Sequence, residues 1–190
     1  MPEHGFEAIT LDDDTYTVVQ SLVRNKYAAY DEDDEVVLRG KQKLFKLKEQ
    51  FPFVDGDGNE VFEVNAGGII DVAGNYVISD AVTGEDVVVL DNDYSIFKDS
   101  WRVRDAESES VIATITSRGA LTTLARNTLP LGELIPHRYE IADADGGHVG
   151  TIGGKLSLKD KYVISIDDGS DVPTEPVVAA AMVIDAIQGN

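Results

Sequence analysis

Short apolar runs rich in Val, Ile and aromatic residues alternate along this chain with acidic, glycine-bearing breaks. The breaks keep a nearly constant step. Acidic turn signals begin at Asp31 (DEDDE), Asp55 (DGDGN), Asp80 (DAVTGE), Asp105 (DAESES), Asp143 (DADGG) and Asp167 (DDGS), in steps of 24, 25, 25, 38 and 24 residues. Four residues before each of the first five stands an aromatic: Tyr27, Phe51, Tyr76, Trp101 and Tyr139. Tyr162 stands five before the sixth. Each unit reads aromatic-x-apolar, polar turn, β-branched run, as in Tyr76-Val-Ile-Ser with Asp86-Val-Val-Val-Leu after the turn. Asp and Gly supply the local hydrogen bonds and positive φ of tight turns, while Val, Ile and aromatics suit a pleated, half-buried surface. The pattern predicts six hairpins, about twelve strands, with Tyr16–Val23 as a further pairing partner.

A unit of about 25 residues is too short for a propeller blade, which needs about 40. A long antiparallel meander left open exposes unpaired edges, so closure is expected. Eight strands fill their own barrel and sixteen leave a channel, so a barrel of about twelve needs something inside. The C-terminal stretch Thr174–Gln188 supplies it: cap chemistry and an early Pro start a helix, Gly189 suits its stop, and only Asp185 interrupts the apolar run Val177–Ile187. A helix apolar all round belongs inside something. The expected fold is mainly β: a closed antiparallel barrel of about twelve strands around a buried C-terminal α-helix at about 174–188. Residues 1–14 are expected as a loose extension and 15–190 as one barrel domain. The 38-residue step holds an insertion at 119–136 (GALTTLARNTLPLGELIP), where Pro130 and Pro136 end regular structure.

Charge then narrows the function. The 190 residues hold 35 Asp plus Glu against 16 Lys plus Arg, a net −19 with no cysteine. Acids spread along the chain repel one another in dilute salt and are screened in molar salt, where the Debye length is about 3 Å. In this the composition resembles proteins of extremely halophilic archaea. A field this acidic does not attract nucleic acid, which is bound through Lys and Arg at phosphates. Without cysteine there is no disulfide, thiolate chemistry or Cys-ligated zinc. The start, Met-Pro-Glu-His-Gly-Phe-Glu, lacks the basic and apolar run of a signal peptide. The apolar C-terminal run is shorter than the roughly 20 residues that span a bilayer. The expected setting is cytoplasmic, with peripheral membrane contact as one form of it.

Three features together, KQKLFKLKEQFPFVDGDGNEVFEV, the repeated aromatic-plus-turn units and the ending YVISIDDGSDVPTEPVVAAAMVIDAI, resemble the LURP-one-related proteins. These share a barrel superfamily with tubby C-terminal domains and phospholipid scramblases. The resemblance implies a twelve-stranded barrel around a hydrophobic C-terminal helix. It transfers no phosphoinositide pocket residue by residue and no palmitoylated cysteine stretch.

Candidate chemistry is sparse. Arg39 to Lys48 (RGKQKLFKLK) carries Arg39, Lys41, Lys43, Lys46 and Lys48 and no acid. Period two puts the first three on one strand face; a bulge near Leu44–Phe45 would unite them with the last two. The stretch is either an anion or partner face or a solvated strand face. Leu121, Leu124, Leu129, Leu131 and Leu134 in the insertion form an interface if exposed and barrel packing if not. Asp185 on the apolar helix needs hydrogen bonds, a partner or access to the barrel mouth. Asp55-Gly-Asp-Gly-Asn-Glu60 lacks the Gly and Glu of a calcium loop at positions six and twelve and reads as a hairpin turn. Gly150-Thr-Ile-Gly-Gly-Lys155 misses the phosphate-loop spacing. His4, His137 and His148 are scattered. No catalytic residue, metal ligand or cofactor is assigned. The expected function is a non-catalytic binding or scaffold barrel that contacts an anionic lipid or a protein partner. The alternative is a small-molecule binder or enzyme with a pocket at a barrel mouth.

Overall fold

The computed structural model describes residues 5–21, 26–41, 51–66, 76–94, 99–117, 138–155 and 161–188. Within them run twelve strands: β1 (Thr15–Ser21), β2 (Lys26–Tyr30), β3 (Val36–Lys41), β4 (Phe51–Val54), β5 (Glu60–Ala66), β6 (Tyr76–Asp80), β7 (Asp86–Tyr94), β8 (Asp99–Asp105), β9 (Val111–Ser117), β10 (Arg138–Ala142), β11 (His148–Lys155) and β12 (Lys161–Ile166). One helix, α1 (Thr174–Gln188), comes after them. Each strand pairs antiparallel with its sequence neighbours, and β1 pairs with β12 to close the barrel.

The acidic repeat is the turn chemistry. The first Asp of each of five turns aims a carboxylate at the backbone of its own loop. Asp55 Oδ1 accepts from the amides of Asp57, Gly58 and Asn59 at 2.9, 2.7 and 2.9 Å. Asp31, Asp80 and Asp143 each accept from two amides of their turns, and Asp105 accepts from the Ser108 amide and hydroxyl. Each of these turns holds one residue at positive φ: Asp34, Gly58, Gly84, Glu109 and Gly146. Each is also adjoined by a register shift in the ladder, after Ala29, Phe53, Ile78, Val103 and Ile141. Such a bulge adds twist, which a closing sheet needs. The sixth signal differs. Asp167–Ser170 turns the chain toward α1, because Asp171-Val172-Pro173 supplies no β-branched run to return as a strand. The twelfth strand is instead β1, the segment expected only as an additional partner.

Helix α1 lies in the lumen. Val177, Val178, Ala179, Ala180, Met182 and Val183 are wholly buried, with Ala181, Ile184 and Ala186 nearly so. The repeat aromatics face it from the wall: Tyr27, Phe51, Trp101, Tyr139 and Tyr162 are buried and Tyr76 is half-buried. Each fully buried Val, Ile or Met contributes about 1.5–3 kcal/mol. The three successive alanines let the helix backbone approach the wall.

The segment 5–14 departs from the expectation of a loose extension. Phe6 and Leu11 are 2% and 6% exposed, and the Phe6 ring stacks on Phe62 at 5.0 Å. The Glu7 amide donates to Asp80 Oδ2 (2.7 Å) and the Leu11 amide to Glu175 Oε1 (3.1 Å) on the first turn of α1. The segment thus lies across the end of the barrel where α1 begins. That end carries the five Asp-built turns and is called the turn end; the opposite end, where β1 stops and β2 starts, is the loop end.

Candidate functional site

With its lumen occupied by α1, the barrel offers its outer wall and its two ends. Alternation fixes the wall. Tyr27, Gly40, Tyr139 and Tyr162 belong to the inner face, so Lys26, Lys41, Arg138 and Lys161 beside them hold outer-face positions. At the loop end, the last outer position on six neighbouring strands reads Lys41 on β3, Lys26 on β2, Ser21 on β1, Lys161 on β12, Lys155 on β11 and Arg138 on β10. Five of the six are cations. Register sets Lys26 directly opposite Lys41, and Lys155 directly opposite Lys161. Like charges directly opposite one another on a strand pair are destabilising, so this register works against the fold.

The contrast with the rest of the wall is sharp. The six strands β10, β11, β12, β1, β2 and β3 carry six Lys or Arg and one acid, Glu140. The six strands β4 to β9 carry two Arg and eight acids. On that acidic side Arg104 is held by Asp91, through its Nε and through Nη2 to Oδ1 at 3.1 Å. The pair raises the Arg104 pKa, chiefly through that hydrogen bonding. On the basic side Lys26, Arg138 and Lys161 have no ion pair among the described residues, and Lys26 and Arg138 are exposed.

The turn end is the reverse. Every one of its connections carries acids and none carries Lys or Arg. The acids that look dispersed along the chain recur at the hairpin period and are therefore gathered in space. Asp55 has its pKa held below the usual carboxylate value, first by the Asn59 side chain and then by the turn amides. The first Asp of each of the five turns accepts from its own loop.

The residues singled out from the sequence do not converge on one place. Arg39 is exposed, but its Nη1 donates to the Gly56 carbonyl at 3.0 Å, on the side of the turn end. Lys41 joins the rim through its register with Lys26. Lys43, Lys46 and Lys48 lie outside the described residues, as do Leu121, Leu124, Leu129, Leu131 and Leu134 with the whole insertion 119–136. Asp185 is half-buried on α1, between buried Ile184 and Ala186. It is one of the charges that, after burial itself, push the Tyr162 hydroxyl pKa well above 10. The Asp55–Asn59 segment is the turn between β4 and β5. Gly150–Lys155 lies within β11, where a Cβ on Gly150 would stand 2.3 Å from the Ser165 carbonyl oxygen. His148 meets Glu140 at 3.1 Å and Asp167 at 3.7 Å.

Lys26, Arg138, Lys155 and Lys161 are missed by sequence reasoning, although a signal is present. Lys26-Tyr27, Arg138-Tyr139 and Lys161-Tyr162 each place a cation directly before a repeat aromatic.

Comparison with known proteins agrees with this architecture. An X-ray structure of a protein from Arabidopsis thaliana superposes with a TM-score of 0.57 at 11% identity, covering 96% of this chain and 98% of the plant chain. That likeness is one of fold. No curated protein matches the chain. The family model of the LURP-one-related proteins matches residues 36–185. That span holds the ten strands β3 to β12, most of α1 and the rim positions Lys41, Arg138, Lys155 and Lys161, while β1 and β2 precede it. A match over that much of the barrel and its helix decides the family, and the chain belongs to the LURP-one-related proteins.

Proposed function

We propose that this chain is a non-catalytic binding barrel that docks onto an anionic bilayer surface through the loop-end rim of β10, β11, β12, β1, β2 and β3. The family and the barrel fold support a binding or scaffold role. The observation that carries the finer reading is the rim itself: five cations in six end positions, two of the pairs in like-charge register. Six strands at about 4.8 Å spacing spread these charges over roughly 24 Å. That is too wide for one small anion and suits a field of phosphate headgroups.

The net charge of −19 argues against such docking only if the protein acts as a point charge. Strands of about six residues separate the acidic turn end from the rim by roughly 20 Å along the strand. At about 0.1 M salt this is some two Debye lengths, so a surface at the rim feels the local cations. Each Lys or Arg close to an anionic membrane contributes about 1 kcal/mol. Among the described residues no helix is long and apolar enough to cross a membrane, and the proposed contact is peripheral.

Flotation with phosphatidylcholine vesicles, with and without phosphatidylserine, tests this. At about 0.1 M KCl the wild type floats only with the anionic vesicles, and screening at about 1 M releases it. A variant with Lys26, Lys41, Arg138, Lys155 and Lys161 all changed to Ser stays at the bottom. Equal flotation of the two proteins, or none by the wild type, refutes the reading; an acidic protein partner would leave the vesicles bare.

A further inference from the structure

Residues 5–14 carry Glu7, Asp12, Asp13 and Asp14 and no Lys or Arg. They nevertheless lie across the turn end, whose own connections are acidic and lack cations. The forces that hold them are short in range. Phe6 stacks on Phe62, Leu11 is buried, and the amides of Glu7 and Leu11 donate to Asp80 and Glu175. The Glu32 amide donates back to Asp13 Oδ2 at 3.1 Å. Opposing them is the like charge brought together on seating. Among the described residues no ion pair to Lys or Arg relieves it.

These two sets of forces respond differently to salt. Ring stacking and apolar burial are not weakened by screening, whereas repulsion between carboxylates is. Its reach falls from about 10 Å at 0.1 M to about 3 Å at 1 M. The barrel ladder does not depend on the segment, since β1 begins at Thr15 and pairs with β12 through Thr15–Val19. The last link between them is the Ile166 amide donating to the Asp14 carbonyl at 2.8 Å.

We propose that residues 5–14 form a salt-set strap, seated over the turn end at high ionic strength and lifting at low ionic strength from a barrel that stays closed. Lifting uncovers the Phe62 ring and the first turn of α1 at Glu175. The strap works at the opposite end from the basic rim, so this inference stands apart from the proposed docking.

Hydrogen exchange of the full chain at about 0.1 M and about 1 M KCl reads it directly. The Glu7, Leu11 and Glu32 amides exchange roughly tenfold faster at the lower salt, while the β1–β12 ladder amides keep their protection. A Glu7→Gln, Asp12→Asn, Asp14→Asn variant keeps the strap seated at the lower salt. Strap and ladder amides that exchange together at every salt concentration overturn the proposal, because the strap is then part of the barrel's own unfolding. So does a triple variant with the wild-type salt response, because charge is then not the cause.

Discussion

Truncating Met182 to alanine removes a thioether side chain from the middle of α1, where it is wholly buried. The barrel wall around it is fixed by twelve hydrogen-bonded strand pairs, so it can collapse into the gap only slightly. Buried Met→Ala substitutions cost about 2–5 kcal/mol, and a rigid wall favours the upper part of that range. For a domain of this size 1 kcal/mol shifts the melting temperature by about 2–4 °C. The expected drop is therefore between about 4 and 20 °C. Trp101, the single tryptophan of the chain, is fully buried on β8, one of the strands that α1 touches. Its fluorescence reports the loss of the filled lumen, in heat or in urea at constant KCl. Ala180→Leu is the matched counter-variant: added bulk at a wholly buried alanine costs about 1–3 kcal/mol by overpacking. A shift below about 2 °C in both variants would mean that α1 does not fill the barrel, and the reasoning about an occupied lumen would fall with it.

Two other perturbations separate effects within the same core. Tyr162 is buried, its hydroxyl has no hydrogen-bond partner among the described residues, and burial, then the charges of Asp185 and Tyr27, raises its pKa well above 10. A raised pKa means that this group's contribution is complete below about pH 10 and is lost as pH climbs from there toward the folded-state value. Tyr162→Phe should leave the neutral-pH melting temperature unchanged or higher and flatten the alkaline limb; a limb as steep as the wild type's counts against this. Gly40 is the close-approach point between β3 and β4, where an added Cβ would stand 2.6 Å from the Phe53 ring. Gly40→Ala should cost about 1–3 kcal/mol, and a melting curve within about 1 °C of wild type would show that the ring moves aside freely.

The barrel is legible in the sequence because its governing signals are local and repeat. An Asp that accepts from the amides of its own turn needs only the next four residues, and the aromatic four places earlier lies on the same hairpin. Such chemistry survives without tertiary information. The sixth hairpin does not form for a related reason: Asp167-Asp-Gly-Ser is a sound turn, but a turn does not dictate the element after it. The strap is invisible in the sequence because Leu11 is held by Glu175, a residue 164 positions away, and Phe6, Ile9 and Leu11 at spacings of three and two fit no single period. The rim is hidden in the same way. Arg39–Lys48 draws attention as a linear run, whereas the described rim takes one cation from each of five strands. That Lys26 faces Lys41 and Lys155 faces Lys161 is a fact of register.

The placement of charge is a consequence of the turn chemistry. A meander closed into a barrel sends alternate connections to opposite ends. Here the connections at one end are short Asx turns, each of which requires a carboxylate acceptor close to the backbone, and the added acids of DEDDE, DAESES and DDGSD extend that end. At the other end the described strands place Lys26, Lys161 and Arg138 directly before aromatics that line the lumen. A step of 24 or 25 residues between most acidic runs therefore gives dispersal along the sequence and segregation along the barrel axis. For this reason the net charge of −19 is a poor guide to local charge: the connections of the turn end are acidic, whereas the loop-end positions of β10, β11, β12, β2 and β3 are cations.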